Sequence, residues 1–233
     1  GSSVLALGAL AVNGNLRLSA GDIASTTTPN TGGILPGVTI ASGGATVLAA
    51  NSGVPDGGDG FLIRAADVTP VGINRLGGVI PDDATLNAAI VNGGTGGNVT
   101  LTDTTNAVNT LAMDASDGPA VIDMAGRTLL VGTGGGVIRQ TASSGGLTVG
   151  AAANDGALTV GASGNWGGGL TLANDSTAND LVINAPIMNN GAASTILLKT
   201  GAGTVTLCGA NGYGGGTTIE GGTLKIGNGG VSG

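Results

Sequence analysis

Asp114, Asp117 and Asp123 are the best candidates in this sequence for paired-carboxylate chemistry. If Asp114 and Asp123 close successive strands, their carboxyl groups can approach each other as general acid–base work requires. Asp also closes turns by accepting hydrogen bonds from its own backbone, and that is the preferred reading here. Asp82-Asp83 reads as the start of a helix or turn. Asp56-Gly57-Gly58-Asp59-Gly60 has the look of a calcium-binding Gly/Asp turn, but the nonapeptide repeat that would support it is not continued. Gly132-Thr133-Gly134-Gly135-Gly136 follows a strand and invites a phosphate-loop reading. Val137 stands at the third fingerprint position, however, and no Gly-Lys-Ser/Thr follows, so a corner between strands is the better account. The chain has no His, which removes the commonest metal ligand and general base. Cys208 is the single cysteine, so neither an internal disulfide nor a thiolate cluster can form. No catalytic, cofactor-binding or metal-binding residue is assigned, no cofactor is expected, and the chain is read as not an enzyme.

The elements that must carry these residues are unusual in composition. Of 233 residues 49 are Gly, only 9% are charged, and the aromatics are Phe61, Trp166 and Tyr213. An aromatic-centred core is excluded, as is collagen, because Gly keeps no three-residue period. At 41% hydrophobic residues, simple disorder is excluded too. Seven basic against fourteen acidic residues give a net charge of −7, with no Lys/Arg cluster, which argues against nucleic acid as a partner. The longest apolar run, Val4 to Val12, is far shorter than the roughly 20 residues needed to span a bilayer, so no membrane insertion by this segment is expected. It reads as a first strand.

Short β-rich runs separated by Gly, Asn, Asp and Ser recur from Val38 onward, most of them alternating aliphatic with Thr or polar positions. Asp82 to Ile90 suits two turns of helix or a strand. The clearest internal copies are Leu147-Thr148-Val149-Gly150-Ala151 and Leu158-Thr159-Val160-Gly161-Ala162, with a looser one at Leu170-Thr171-Leu172-Ala173. Sandwiches and barrels fill a thick core with large side chains, whereas here Val, Leu, Ile and Ala must suffice. A parallel β-solenoid meets that condition, with small aliphatics stacked in ladders and Gly or Asn at the corners. The expected fold is therefore all-β, a parallel β-helix of roughly eight coils with about three short strands per coil and about 25 to 30 residues in each. At about 4.8 Å per coil the rod would be of order 40 Å. Residues 1–95 are expected to be an irregular or capping part and 96–233 the repetitive part of one continuous elongated domain.

Within it, Lys199-Thr200-Gly201-Ala202-Gly203-Thr204-Val205-Thr206-Leu207-Cys208-Gly209-Ala210-Asn211-Gly212-Tyr213, followed by Gly214-Gly215-Gly216-Thr217-Thr218-Ile219-Glu220-Gly221-Gly222-Thr223-Leu224-Lys225-Ile226-Gly227, closely resembles the autotransporter passenger-associated β-strand repeat. Cys208 stands where Ser is usual, Gly212 and Gly214 where Thr is common, and Glu220-Gly221 where Asn-Ala is common. The resemblance implies a right-handed parallel β-helix on a secreted or cell-surface bacterial protein. By alternation Val205, Leu207, Ile219, Leu224 and Ile226 should point inward, and Thr204, Thr206, Thr218 and Lys225 outward. Asn211 is expected to bond corner backbone with Tyr213 packed over it, and Cys208 to fill a tight small-residue position.

Three functions from different classes fit. The favoured one is a non-enzymatic structural or adhesive module, with a self-stacking filament subunit as a subcase, since unpaired strand edges at the ends of a solenoid invite stacking. Its expected partners are other copies of itself, adjacent repeats of a larger chain, or cell-surface glycans. The alternatives are a β-helix carbohydrate-active enzyme working near Asp114 and Asp123, and an ice-binding protein with a flat array such as Thr148, Thr159 and Thr171. Asn98-Val99-Thr100 and Asn174-Asp175-Ser176 fit the glycosylation acceptor pattern, which arises readily in an Asn/Thr-rich chain.

Overall fold

The computed structural model describes residues 17–19, 34–42, 45–55, 60–65, 69–72, 78–91, 97–113, 118–133, 135–161 and 168–227. Asp56, Asp59, Asp114, Asp117, Trp166 and the Val4 to Val12 run lie outside them. The chain divides into two units, Gly1–Asp67 and Val68–Gly233.

The first unit holds β1 (Arg17–Ser19), β2 (Ile34–Ser42), β3 (Ala45–Pro55) and β4 (Gly60–Ala65), paired antiparallel in the order β1-β4-β3-β2. These four described strands thus form a sheet of their own. The second unit starts with β5 (Thr69–Gly72), β6 (Val79–Ile80) and β7 (Asp83–Val91), all in parallel pairings. The parallel stack therefore begins well before residue 96. Asp83–Val91 is a strand: β5 pairs with its C-terminal half and the later strand β9 (Thr105–Met113) with both halves, and Leu86–Ile90 are buried on both faces. Pairing on both sides overrides the weak helical spacing.

The stack continues through β8 (Gly97–Leu101), β9 (Thr105–Met113), β10 (Ala120–Asp123), β11 (Thr128–Val131), β12 (Gly135–Gln140), β13 (Leu147–Val149), β14 (Ala157–Val160) and β15 (Gly169–Asn174). It ends with β16 (Leu181–Ile183), β17 (Ile196–Thr200), β18 (Thr204–Leu207), β19 (Thr217–Ile219) and β20 (Thr223–Ile226). All pairings among β5–β20 are parallel. β6-β8-β10-β13-β16-β18-β20 form the first face. β9 is long enough to serve two faces, since Thr105–Val108 pair with β11 and Thr110–Met113 with β12. The second face is β9-β11-β14, continued by a bridge from Leu158 to Ile187, and the third is β5-β7-β9-β12-β15-β17-β19. This is an all-β parallel β-helix with three strands in each full coil. The seven levels of the first face span about 30 Å. Coil length varies more than the sequence suggests, from about 19 residues between paired Thr204 and Thr223 to about 34 between Thr148 and Val182.

Register makes the core a set of columns. Val99, Ile122, Val149, Ile183 and Leu207 stack on the first face, Val108, Val131 and Val160 on the second, and Ala88, Leu111, Ile138 and Leu172 on the third. All of these side chains are buried. Each fully buried aliphatic contributes about 1.5–3 kcal/mol, so small residues in strict register replace the missing aromatics.

Candidate functional site

The third face turns into the first at a corner lined with buried polar side chains. Gln140, Asn174 and Lys199 end β12, β15 and β17 or stand one residue from that end, and alternation directs all three inward. Each spends its polar atoms on corner backbone. The Gln140 side-chain amide donates to the Asn179 carbonyl at 2.7 Å, and its Oε1 accepts from the Leu147 N–H at 2.8 Å. Asn174 Nδ2 donates to the Asn179 and Thr204 carbonyls at 3.0 and 2.7 Å, while its Oδ1 accepts from the Ser176 N–H. Asn179 closes the series by donating to the Ser144 carbonyl at 2.8 Å.

Lys199 is the charged member, and it is 0% exposed. Its register partners are Leu172 on one side and Ile219 on the other, so it occupies an otherwise apolar column. Nζ donates to the Thr200, Gly201 and Gly221 carbonyls at 2.7, 2.9 and 2.9 Å, which uses all three ammonium protons. Burial pushes its pKa down from the ordinary lysine value, and the Asp175 carboxylate opposes that shift. Asp175 also accepts from the mostly buried Arg139 guanidinium at 3.1 Å.

At the opposite corners the acidic residues do comparable work. Asp155 accepts from the Met124, Gly126 and Ala151 N–H groups at 3.0, 3.0 and 2.8 Å, tying its own turn to the one in the preceding coil. Desolvation raises its pKa, but the combined donation from Ala151, Gly126, Met124 and Ala125 outweighs that, and the carboxyl lies below its ordinary value. Asn106, fully buried, donates to the Ile80 carbonyl at 2.8 Å.

The described residues among those singled out in the sequence are dispersed along the stack. Asp123 accepts from the Ala125 N–H at 3.1 Å in an Asx turn, which is the turn role preferred for it. Asp82 accepts from the Ala107 N–H at 2.8 Å in the neighbouring coil, and Asp83 from the N–H and hydroxyl of Thr85. The Thr85 hydroxyl and N–H hold the Asp83 carboxyl below its ordinary value. Gly132 and Gly135 flank a corner between β11 and β12, with the Gly132 N–H donating to the Val108 carbonyl at 2.7 Å, so strand rather than helix follows the glycine run. Asn211 accepts from the Ile187 N–H at 2.9 Å and donates to the Gly209 carbonyl, as expected of a corner residue. Tyr213 packs partly against the core with its hydroxyl 2.8 Å from that of Thr217. Cys208 is buried, and burial pushes its thiol up, with Lys225 acting in the opposite direction. Asn98 is exposed, whereas Asn174 is buried and fully bonded. Among the described residues no group of three His, Cys, Asp or Glu side chains is placed to hold a metal.

One expectation needs correction, and two hold in direction but not in exposure. Thr148, Thr159 and Thr171 lie on β13, β14 and β15, one on each face of a single coil, so they form no flat array. The stacking neighbours of Thr148 are Val121 and Val182, so Thr148 itself belongs to no threonine ladder. Val205 and Leu207 are fully buried and Leu224 partly so, but Ile219 and Ile226 are 52% and 58% exposed. They point inward as expected, in register with Lys199 and Leu207, but among the described residues β19 and β20 are the last strands of their faces, and no further strand packs over them. Thr206 faces outward as expected, between inward Val205 and Leu207, yet it is covered there, and its hydroxyl donates to Asp180 at 3.2 Å.

Sequence reasoning did not single out Lys199, Asp155, Gln140 or Asn106. For Lys199 the signal was alternation, because it shares a face with buried Leu197. Comparison of the whole chain with curated proteins and with solved structures gives no match. Residues 197–226, which run from the second residue of β17 to the end of β20 and include Lys199 with its three carbonyls, match the family model of the passenger-associated-transport-repeat, the repeat of autotransporter passengers.

Proposed function

We propose that this chain is a non-enzymatic structural or adhesive module of a secreted or cell-surface bacterial protein. The observation that supports this most directly is that the passenger repeat at 197–226 forms β17–β20 in register with a longer parallel stack. In that stack the carboxylates of Asp82, Asp83, Asp123 and Asp155 accept backbone N–H groups. A passenger β-helix presents long regular faces at a distance from the cell, a geometry suited to contact with glycans, adjacent repeats or further copies. Self-stacking into filaments is the subcase of this reading.

The test starts from intact bacteria producing the full-length protein. Protease added outside the cells should release peptides from residues 68–233, and protection until lysis would overturn the surface assignment. Incubation of purified protein with polysaccharides should give no new reducing or unsaturated ends; their appearance would overturn the non-enzymatic part. Sedimentation with negative-stain electron microscopy over a concentration series then separates filaments from dispersed particles.

A further inference from the structure

The carbonyls around Lys199 come from two places in the chain. Thr200 and Gly201 follow the lysine directly, while Gly221 belongs to the next coil, in the turn between β19 and β20. One ammonium therefore joins successive coils at their shared corner. The socket is also shaped for it. Gly222 has φ +64, and a Cβ there would lie 2.8 Å from Nζ and closer still to the Gly201 and Gly203 carbonyl oxygens. One coil earlier the neutral Asn174 makes the same kind of link, donating to the Thr204 carbonyl of the following coil, and a Cβ on Gly203 would collide with it. Side chain and glycine thus recur as a pair, a pin and the gap that receives it.

We propose that Lys199 is a docking pin, and that the carbonyls of Thr200, Gly201 and Gly221 form a binding socket selective for a primary ammonium, which holds the β19–β20 turn on the coil beneath. Three acceptors match the three protons of R–NH3+, so a cation without N–H groups gains little there. The inference is independent of the cellular role proposed above, because it concerns how one repeat fastens to the next.

Hydrogen exchange of the backbone amides of Glu220, Thr223 and Gly227, which donate to the Lys199, Gly203 and Leu207 carbonyls, reports docking of this turn. Lys199→Met keeps the packing but lacks the donors. It should speed exchange at these three amides by at least about tenfold, the weight of one charged hydrogen bond, and leave Ile122 and Val149 unchanged. In Lys199→Ala, n-propylammonium chloride should restore protection, whereas tetramethylammonium chloride at equal concentration should not. Unchanged exchange in Lys199→Met, or equal rescue by both cations, overturns the proposal. Should both variants fail to fold, the wild-type protein decides. A slowly exchanging lysine ammonium resonance in 15N spectra supports the pin, and its absence overturns it.

Discussion

At the scale of single residues, the polar side chains of this fold serve mainly to satisfy corners. A coil made of short strands exposes backbone N–H and C=O groups at every bend, and each one left buried without a partner costs about 1–3 kcal/mol. Asp155 meets three such donors from two coils. Asp155→Asn should destabilise the unit by about 2 kcal/mol in urea unfolding at pH 7, since a neutral amide accepts more weakly and reverses poorly into that geometry. The pH dependence has a fixed sign. The folded-state pKa lies below the unfolded value of about 3.9, so the contribution is complete above about pH 5 and disappears as pH falls through the depressed folded pKa. The gap in stability between wild type and Asp155→Asn should therefore close on acidification; a constant gap from pH 7 to pH 2 would show that the carboxylate charge is not what the turn uses.

At the scale of elements, glycine has two separable roles. Gly216 has φ +85 with open space around its missing Cβ, so Gly216→Ala should cost about 1 kcal/mol from backbone conformation alone. Gly203 has no such torsional demand, but a Cβ there would lie 2.0 Å from the Ser176 carbonyl oxygen and 2.7 Å from Asn174 Nδ2. Gly203→Ala should cost about 3 kcal/mol by overpacking that corner, and chemical denaturation of the two variants side by side checks the order. A reversed order would mean that torsion, and not coil spacing, selects glycine. Strands were legible in the sequence because aliphatic alternation is local: Leu147, Leu158 and Leu170 announce β13, β14 and β15 by themselves. Their arrangement was not legible, since near-identical segments at similar spacing fit a ladder between coils or three faces of one coil equally well. Lys199 shows the same division. Its inward face follows from Leu197 two residues before, but its third acceptor, Gly221, is 22 residues away and is brought there by register. Asp155 meets Met124 and Gly126 at separations of 31 and 29 for the same reason.

At the scale of the whole molecule, backbone pairing is segregated. Among the described residues β1–β4 pair only with one another, and β5–β20 only among themselves, with the division at Asp67 and Val68. In a solenoid each coil is stabilised chiefly by its neighbours, so a stack with its own ladders and its own columns contains the interactions that fold it. A fragment comprising residues 68–233 should therefore fold without residues 1–67, giving the β-sheet circular dichroism of the full chain and the same protection from exchange at Ile122, Val149 and Ile183, which share one buried column. Exchange should quicken from the middle coils towards β19 and β20, whose Ile219 and Ile226 are packed on one side only. Loss of protection across the whole fragment, rather than at one margin, would show that the antiparallel sheet is required for the stack, and the molecule would then be one cooperative unit despite its two separate systems of pairing.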